Sequence, residues 1–402
     1  MIIEKGLTIM YSIKQVENIN TSQEKDREYV ANTYQRFDVC LVRGKNATVI
    51  SDEGKEYIDF TSGIGVNSLG FCDDLWIKAI THQLGMMQHC SNLYYSKPSS
   101  DLAQELVRRS GLKKVVFLNS GAEANECAIK ISRKYGNKSG GRNEIITLEG
   151  SFHGRTMAAL TATGQPAYHK NFQPFLEGFS YGSLDIEHIK SLISDKTCGI
   201  LIELIQGEGG VRVLPKTFVK EVEQLCRHHD LLFMVDEVQT GIGRTGTLFA
   251  YQGYGFQPDI VTFAKGIGGG LPLGGVLLGE KVKDVLEPGD HGSTFGANPV
   301  VCQGALAVLD RLTPEFLKQV VDKGRIITEE LGAMTSVKNL DGRGLMIGFQ
   351  VEGKEPKDIV KMALAQRLLV LTANDKVRIL PPLTISIEEI GKGLDILKII
   401  IG

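Results

Sequence analysis

The chain has 402 residues, 42% of them hydrophobic and 23% charged, with a net charge of −2. That is the balance of an ordinary globular protein long enough for two or three cores. It excludes a disordered chain and gives no overall electrostatic pull toward nucleic acid or an anionic membrane.

Taken in chain order, the N-terminal MIIEKGLTIMYSIKQ is broken by Glu4, Lys5 and Lys14, so no signal-peptide core is expected there. No run approaches ~18 consecutive apolar residues, so no membrane span is expected. The seven cysteines (Cys40, Cys72, Cys90, Cys127, Cys198, Cys226, Cys302) are scattered, odd in number and never in a C-x-x-C pair. Neither a disulfide framework nor a metal site is expected, and the reading is of a soluble, cytoplasmic protein.

Residues 1–70 are expected to pack with the C-terminal domain. Within 71–299 the chain alternates short β-branched runs with helix-like stretches. Strands are predicted at 113–119, 142–148, 198–205, 231–235, 259–264 and 275–278, and one intervening helix spans 218–229, with Val219, Val222 and Cys226 on one face. Such alternation predicts an α/β layer on a mainly parallel sheet. From 300 to 402 the texture changes to a smaller α+β domain: helices at 300–312 and 316–335, apolar runs at 345–351 and 368–371, and a last helix near 387–400.

Three places in this frame carry chemistry. In LNSGAEANECAIKISRKYG, Ser120 reads as a helix N-cap, Glu123 as its capping-box partner and Gly136 as the helix stop. A strand, a small-residue turn and a helix N-terminus make an anion site, although a well-capped helix alone would look the same. In MVDEVQTG, Asp236 ends a buried apolar strand, at the edge where parallel sheets bind ligands. Lys265 leaves the next strand into GIGGGLPLGG, and a lysine there is either a surface residue on a flexible loop or a desolvated amine reactive toward carbonyls. By contrast, GIGRTG (241–246) matches G-x-G-x-x-G literally. The TLFAYQGYG that follows is too short and glycine-broken for the long helix such a site needs, so it reads as a loop and not as a nicotinamide site. A phosphate-ready helix end, an acid for a pyridinium nitrogen and an amine for an aldehyde are together what pyridoxal 5′-phosphate (PLP) needs.

The sequence resembles the class III (ω-amino-acid) aminotransferases of PLP fold type I, which are aspartate-aminotransferase-like, and within them most closely the branch acting on N2-acetylornithine. Nine motifs run in family order: TSGIGVNSLG, SNLYYSKP, LNSGAEANE, SFHGRT, ELIQGEGG, DEVQTGIGRTG, TFAKGIGGGLPLGG, HGSTFGANP and VRILPPLTIS. The resemblance implies that Lys265 holds PLP as a Schiff base and moves the proton. It implies that Ser120, Gly121 and Ala122 take the phosphate; family members often carry Thr at the Ala122 position, which removes one hydroxyl contact here. Phe152 and Val238 pack on the two ring faces, Asp236 pairs with the ring nitrogen, and Gln239 meets the ring 3-oxygen, with Glu237 in the same cofactor-binding stretch.

By the same resemblance Thr294 reaches the phosphate of a neighbouring subunit, which implies a homodimer with shared active sites, and Ser293 contacts substrate. Arg155 clamps the distal carboxylate and Arg378 the α-carboxylate of glutamate, with Glu208 pairing Arg378 when no α-carboxylate is present. The implied reaction carries the terminal amino group of N2-acetyl-L-ornithine to 2-oxoglutarate in a ping-pong cycle of arginine biosynthesis. GABA, ornithine or succinylornithine aminotransferases, an aminomutase and a non-catalytic regulatory protein on this fold are the alternatives. His153 and His291 fall inside the motifs with contact and loop roles. Gly70-Phe71-Cys72-Asp73-Asp74 departs from the family pattern.

Overall fold

A computed structural model describes residues 21–402, and the MIIEKGLTIMYSIKQ segment lies outside the described residues. Three antiparallel strands come first: β1 (Leu41–Lys45), β2 (Thr48–Ser51) and β3 (Glu56–Asp59). The main sheet follows. Its strands are β4 (Lys114–Leu118), β5 (Glu144–Leu148), β6 (Phe179–Gly182), β7 (Thr197–Glu203), β10 (Leu232–Asp236), β11 (Ile260–Phe263) and β12 (Gly274–Leu278), with the short hairpin β8 (Ile205–Gln206) and β9 (Arg212–Val213) inserted after β7. Their order is β4-β12-β11-β10-β7-β5-β6, parallel except for β12, which runs against both its neighbours.

Every residue of β7, β10, β11 and β12 is buried, because helices cover both faces of the sheet. A strand shielded on both sides needs no polar face, so these read as continuous apolar runs. The register sets Asp236 beside Glu203 on one side and beside Thr262 on the other. Two carboxyls and the Lys265 turn therefore emerge together at the carboxyl edge of the sheet.

The helix Gly121–Lys138 starts as its sequence predicts, with the Ser120 hydroxyl accepting from the Glu123 amide at 3.2 Å. Two details differ. The Glu123 carboxylate takes the Asn119 amide at 2.6 Å, one residue before the position a capping box would give it. Gly136 does not stop the helix, which runs on to Lys138. A Cβ there would lie 2.2 Å from the Arg142 carbonyl oxygen, so this glycine permits close packing inside the helix.

The C-terminal region forms a second sheet from β13 (Val337–Arg343), β14 (Met346–Val351), β16 (Leu371–Ala373) and β17 (Lys376–Ile379), in the order β13-β14-β17-β16. Between them β15 (Leu368–Leu369) pairs parallel with β3, so N-terminal and C-terminal segments share one sheet. The helices Pro314–Gly332, Pro356–Ala365 and Ile387–Ile401 pack on these strands. Two sequence features find their place here. Asp73, in the departing stretch, caps the helix Asp74–Leu84 by accepting from the amides of Leu75 and Trp76. The GIGRTG loop carries Arg244, whose buried guanidinium donates to the carbonyls of Leu345 and Pro381 and so ties the main sheet to the strands around Arg378. Among the described residues no helix is long and apolar enough to cross a membrane.

Candidate active site

A cavity of about 500 Å³ opens at the carboxyl edge of the main sheet. Asn119, Ser120, Gly121 and Ala122 line one end, where the helix presents its first amides; a helix leaves those N–H groups without internal partners and carries its positive dipole end there. Gly121 is required by the wall behind it, since a Cβ would sit 2.6 Å from Cγ1 of Val238. Val238 and Phe152 also line the cavity, as do Arg155, Glu208, Gln239 and Lys265.

Asp236 forms the floor and is 4% exposed. One of its oxygens accepts from His153 Nδ1 at 2.8 Å and from Asn125 Nδ2 at 2.7 Å, and the other accepts from the Val238 amide at 3.0 Å. These three donors fix the carboxyl rigidly. His153 Nε2 and Asn125 Oδ1 are buried without a partner among the described residues. Sequence reasoning missed Asn125 as a site residue; it lies four residues past Gly121, on the same helix face, which is the signal that would have found it. It gave His153 contact and loop roles and did not pair it with Asp236.

Glu203, the second residue missed, lies beside Asp236 and accepts from the amides of Phe152 at 2.8 Å and Gly207 at 3.1 Å. Burial pushes its carboxyl up to about 7; nearby His153 opposes that shift and Asp236 adds to it. Its strand-end position matches that of Asp236 one strand away.

Lys265 opens a single 3-10 turn with φ of +49°, a conformation that costs energy for any residue but glycine and is common at functional sites. The Ser68 hydroxyl holds the turn through the Gly266 carbonyl at 2.7 Å. The Lys265 amine makes no hydrogen bond or ion pair with a described residue. Burial pushes it below the ordinary lysine range, and the Glu208 charge only partly offsets this.

At the other end, Arg378 Nη1 meets Glu208 Oε1 at 2.5 Å and Nη2 meets Oε2 at 3.4 Å. Gln239 completes the cluster, accepting from Arg378 Nη1 at 3.3 Å. Burial opposes ionisation of Glu208, yet the Arg378 guanidinium holds its carboxyl below the usual carboxylate range. Arg155 is exposed at the mouth, with its guanidinium 4.3 Å over the Tyr168 ring and 5.6 Å over that of Phe152.

Of the predicted residues, Glu237, Ser293 and Thr294 stand outside this cavity, and Arg378 meets it only through Glu208 and Gln239, which line it. The Glu237 carboxylate turns the other way, accepting from the Thr240 hydroxyl at 2.5 Å and the Tyr251 amide at 2.8 Å. The Ser293 hydroxyl accepts from Asn119 Nδ2 at 2.7 Å and from the Gly296 amide at 3.1 Å. Thr294 is exposed on the surface.

A mainly parallel sheet with a lysine and an acid at its carboxyl edge defines a carbonyl-condensing, cofactor-dependent enzyme of the aminotransferase kind. The class-III aminotransferase family model matches residues 29–401, and the chain belongs to that family, whose cofactor is PLP. The chain is 49% identical to the acetylornithine aminotransferase of Haemophilus ducreyi, covering 93% of this chain and 97% of that one. Its fold matches the ornithine aminotransferase of Toxoplasma gondii with a TM-score of 0.90 at 30% identity, over 96% of each chain. The N-acetylornithine aminotransferase of Stenotrophomonas maltophilia matches with a TM-score of 0.81 at 34% identity, over 94% of this chain and 97% of that one. The residues present fit PLP: a glycine-walled helix end suits a phosphate, a triply anchored acid suits a ring nitrogen, and an unpaired amine suits an aldehyde.

Proposed function

We propose that this chain moves the terminal amino group of N2-acetyl-L-ornithine, or a close ω-amino acid, to 2-oxoglutarate, giving N-acetylglutamate 5-semialdehyde and glutamate. The observation that carries the reading is the closed Glu208–Arg378 pair, in which Glu208 lines the cavity and Arg378 lies buried behind it. An ω-amine brings no carboxylate to its reacting carbon, and an unpaired buried guanidinium there would be strongly unfavourable. Glu208 neutralises it, and must give way when glutamate brings an α-carboxylate. Arg155, without a carboxylate partner among the described residues, is free to take the distal carboxylate of either substrate in a bidentate grip. Close relatives that are acetylornithine aminotransferases support the same substrate.

When bound, PLP supplies an electron sink for the carbon that loses its proton. Asp236, anchored by His153 and Asn125, would hold a proton on the ring nitrogen of the bound cofactor. The desolvated Lys265 amine takes the proton from the substrate carbon bearing the amino group and later returns one, as base and then acid. Phe152 and Val238, which line the cavity, would hold the ring.

A donor panel with 2-oxoglutarate as acceptor tests the substrate. N2-acetylornithine is expected to give the highest specificity constant among acetylornithine, succinylornithine, ornithine and GABA. A clear preference for ornithine or GABA would overturn the assignment.

Glu208→Ala is expected to slow the half-reaction with acetylornithine and leave that with glutamate equal or faster. Breaking a buried pair costs about 3–5 kcal/mol, less here because Glu208 keeps 22% side-chain exposure. The quantity to measure is the ratio of the two half-reaction specificity constants. A ratio within threefold of wild type, about 0.65 kcal/mol, would mean that Glu208 does not control access to Arg378.

The working unit we infer is a homodimer with shared sites. Exposed Leu93, Tyr94, Tyr95 and Phe295 make an apolar surface beside Thr294, and Asn92 bonds the carbonyls of Ser293 and Gly296 to hold the two segments together. A second copy covering that surface would bring Thr294 to its neighbour's phosphate end. Mixing inactive Lys265→Ala with an inactive Thr294→Glu variant should then regain activity, since one site of each heterodimer carries neither lesion. Verified subunit exchange with no recovery would contradict a shared site.

A further inference from the structure

Arg155 has an unusual setting for a residue that must grip a carboxylate. It is exposed and carries no ion pair among the described residues, yet its guanidinium is not left to wander. The ring of Tyr168 lies 4.3 Å beneath it, closer than that of Phe152 at 5.6 Å. Tyr168 itself does not line the cavity, and its hydroxyl has no hydrogen-bond partner among the described residues. What it offers is a ring face.

That ring is held firmly in place. Tyr168 sits on the short helix Pro166–His169, fastened at both ends to the segment that carries Arg155. Before it, Gln165 Nε2 donates to the carbonyls of Gly150 and Ser151 at 3.2 and 3.1 Å. After it, His169 Nε2 donates to the Leu160 carbonyl at 2.9 Å. The ring meets Phe152 edge-on, with centroids 5.4 Å apart and planes at 67°. The chain just after Arg155 is anchored separately, because Glu126 accepts from the Thr156 hydroxyl at 2.6 Å and from the amides of Ala158 and Ala159.

We propose that Tyr168 is a positioning residue for carboxylate recognition, stacking under the Arg155 guanidinium to hold it at the cavity mouth before substrate arrives. The inference rests on the reading of Arg155 as the distal-carboxylate clamp. An arginine has many rotamers, and a clamp that must be ordered by its ligand binds more weakly than one already in place. A ring under one face of the guanidinium orders it, while all five N–H donors in its plane stay available to a carboxylate. A carboxylate partner on the protein would order it too, but would compete with the substrate. The aromatic seat does not compete.

The test compares the holoenzyme with Tyr168→Leu, Tyr168→Met, Tyr168→Phe and Arg155→Met, using two amines. N2-acetylornithine carries a distal carboxylate, and 1,4-diaminobutane carries none. Tyr168→Leu and Tyr168→Met are expected to raise KM for acetylornithine roughly 3- to 30-fold, the range a cation–π contact supports, with kcat nearly unchanged. Half-reaction specificity toward 1,4-diaminobutane should stay within about twofold by transition-state arithmetic, and Tyr168→Phe should behave as wild type with both amines. Equal losses with both amines in the Leu and Met variants would make Tyr168 a mere packing residue and overturn the proposal. Loss in Tyr168→Phe would assign the effect to the hydroxyl and overturn it as well. If Arg155→Met impairs acetylornithine while Tyr168→Leu and Tyr168→Met do not, the stacking idea fails and the Arg155 reading stands. If Arg155→Met spares acetylornithine, the clamp reading fails and takes this one with it.

Discussion

Lys265→Ala abolishes turnover and leaves the fold intact: that is the largest effect expected from a single substitution. The side chain makes no hydrogen bond or ion pair with a described residue, so its removal orphans no buried group. Alanine also adopts the same backbone conformation at comparable cost. What disappears is the desolvated amine at the carboxyl edge of the sheet. Loss of a positioned general base alone costs about 10²–10⁴-fold, and loss of the covalent link to the cofactor adds to it. The variant should still bind PLP through the helix end at Ser120–Ala122 and through Asp236, but without the visible absorbance of the lysine-bound cofactor. Added methylamine should restore part of the rate, because a small free amine can reach the space the side chain vacates. Steady-state kcat, the absorption spectrum and a thermal melt check these points together. Turnover above about a few per cent of wild type, far outside the loss expected for a missing base, would show that another lysine does the work.

The second large effect is at Asp236. Asp236→Ala removes the counter-charge for the ring nitrogen and leaves His153 Nδ1, Asn125 Nδ2 and the Val238 amide without their acceptor. A buried donor left unpaired costs about 1–3 kcal/mol, so this variant should melt earlier as well as react slowly. Asp236→Asn helps to separate the two, because it keeps the volume and one acceptor oxygen while removing the charge. Both variants are expected to slow single-turnover proton abstraction by at least about 10²-fold, the order of a lost electrostatic stabiliser, while weakening substrate binding far less. An unchanged single-turnover rate in Asp236→Asn would remove the residue from the chemistry and leave it a structural role.

How much of this was readable beforehand depends on how local the signal is. The strands β7, β10, β11 and β12 are legible because burial on both faces leaves uninterrupted apolar runs, and β4 and β5 by their β-branched apolar runs, although β4 is mostly half-buried. The edge strand β6, FSYG, has no such run and was missed. The sheet joining β3 to β15 depends on residues more than 300 positions apart, for which no local pattern exists. In the site, Lys265 and Asp236 announce themselves as charged residues ending apolar strands. The partners of Asp236 do not, since His153 and Asn125 lie 83 and 111 residues away in sequence. Glu203 was open to the strand-end argument that found Asp236. The period-two alternation of a strand also places Glu237 on the face opposite Asp236, which is where its carboxylate lies. Gly136 shows the converse limit: a glycine near a helix end looks like a stop unless the approaching Arg142 carbonyl is known.

The central claim is that one cavity accepts an ω-amine and an α-amino acid in turn, with the Glu208–Arg378 pair closed for the first and open for the second. A stopped-flow experiment on the holoenzyme addresses it most directly. N2-acetylornithine is added without acceptor and cofactor absorbance is followed, and 2-oxoglutarate is then added alone. The account predicts that the first addition converts the cofactor fully to its amine form, that the second restores the starting spectrum with one glutamate formed per site, and that ornithine and GABA do the first step at least about tenfold more slowly, a difference of about 1.4 kcal/mol. No spectral change with N2-acetylornithine, alongside rapid conversion by ornithine or GABA, would contradict it.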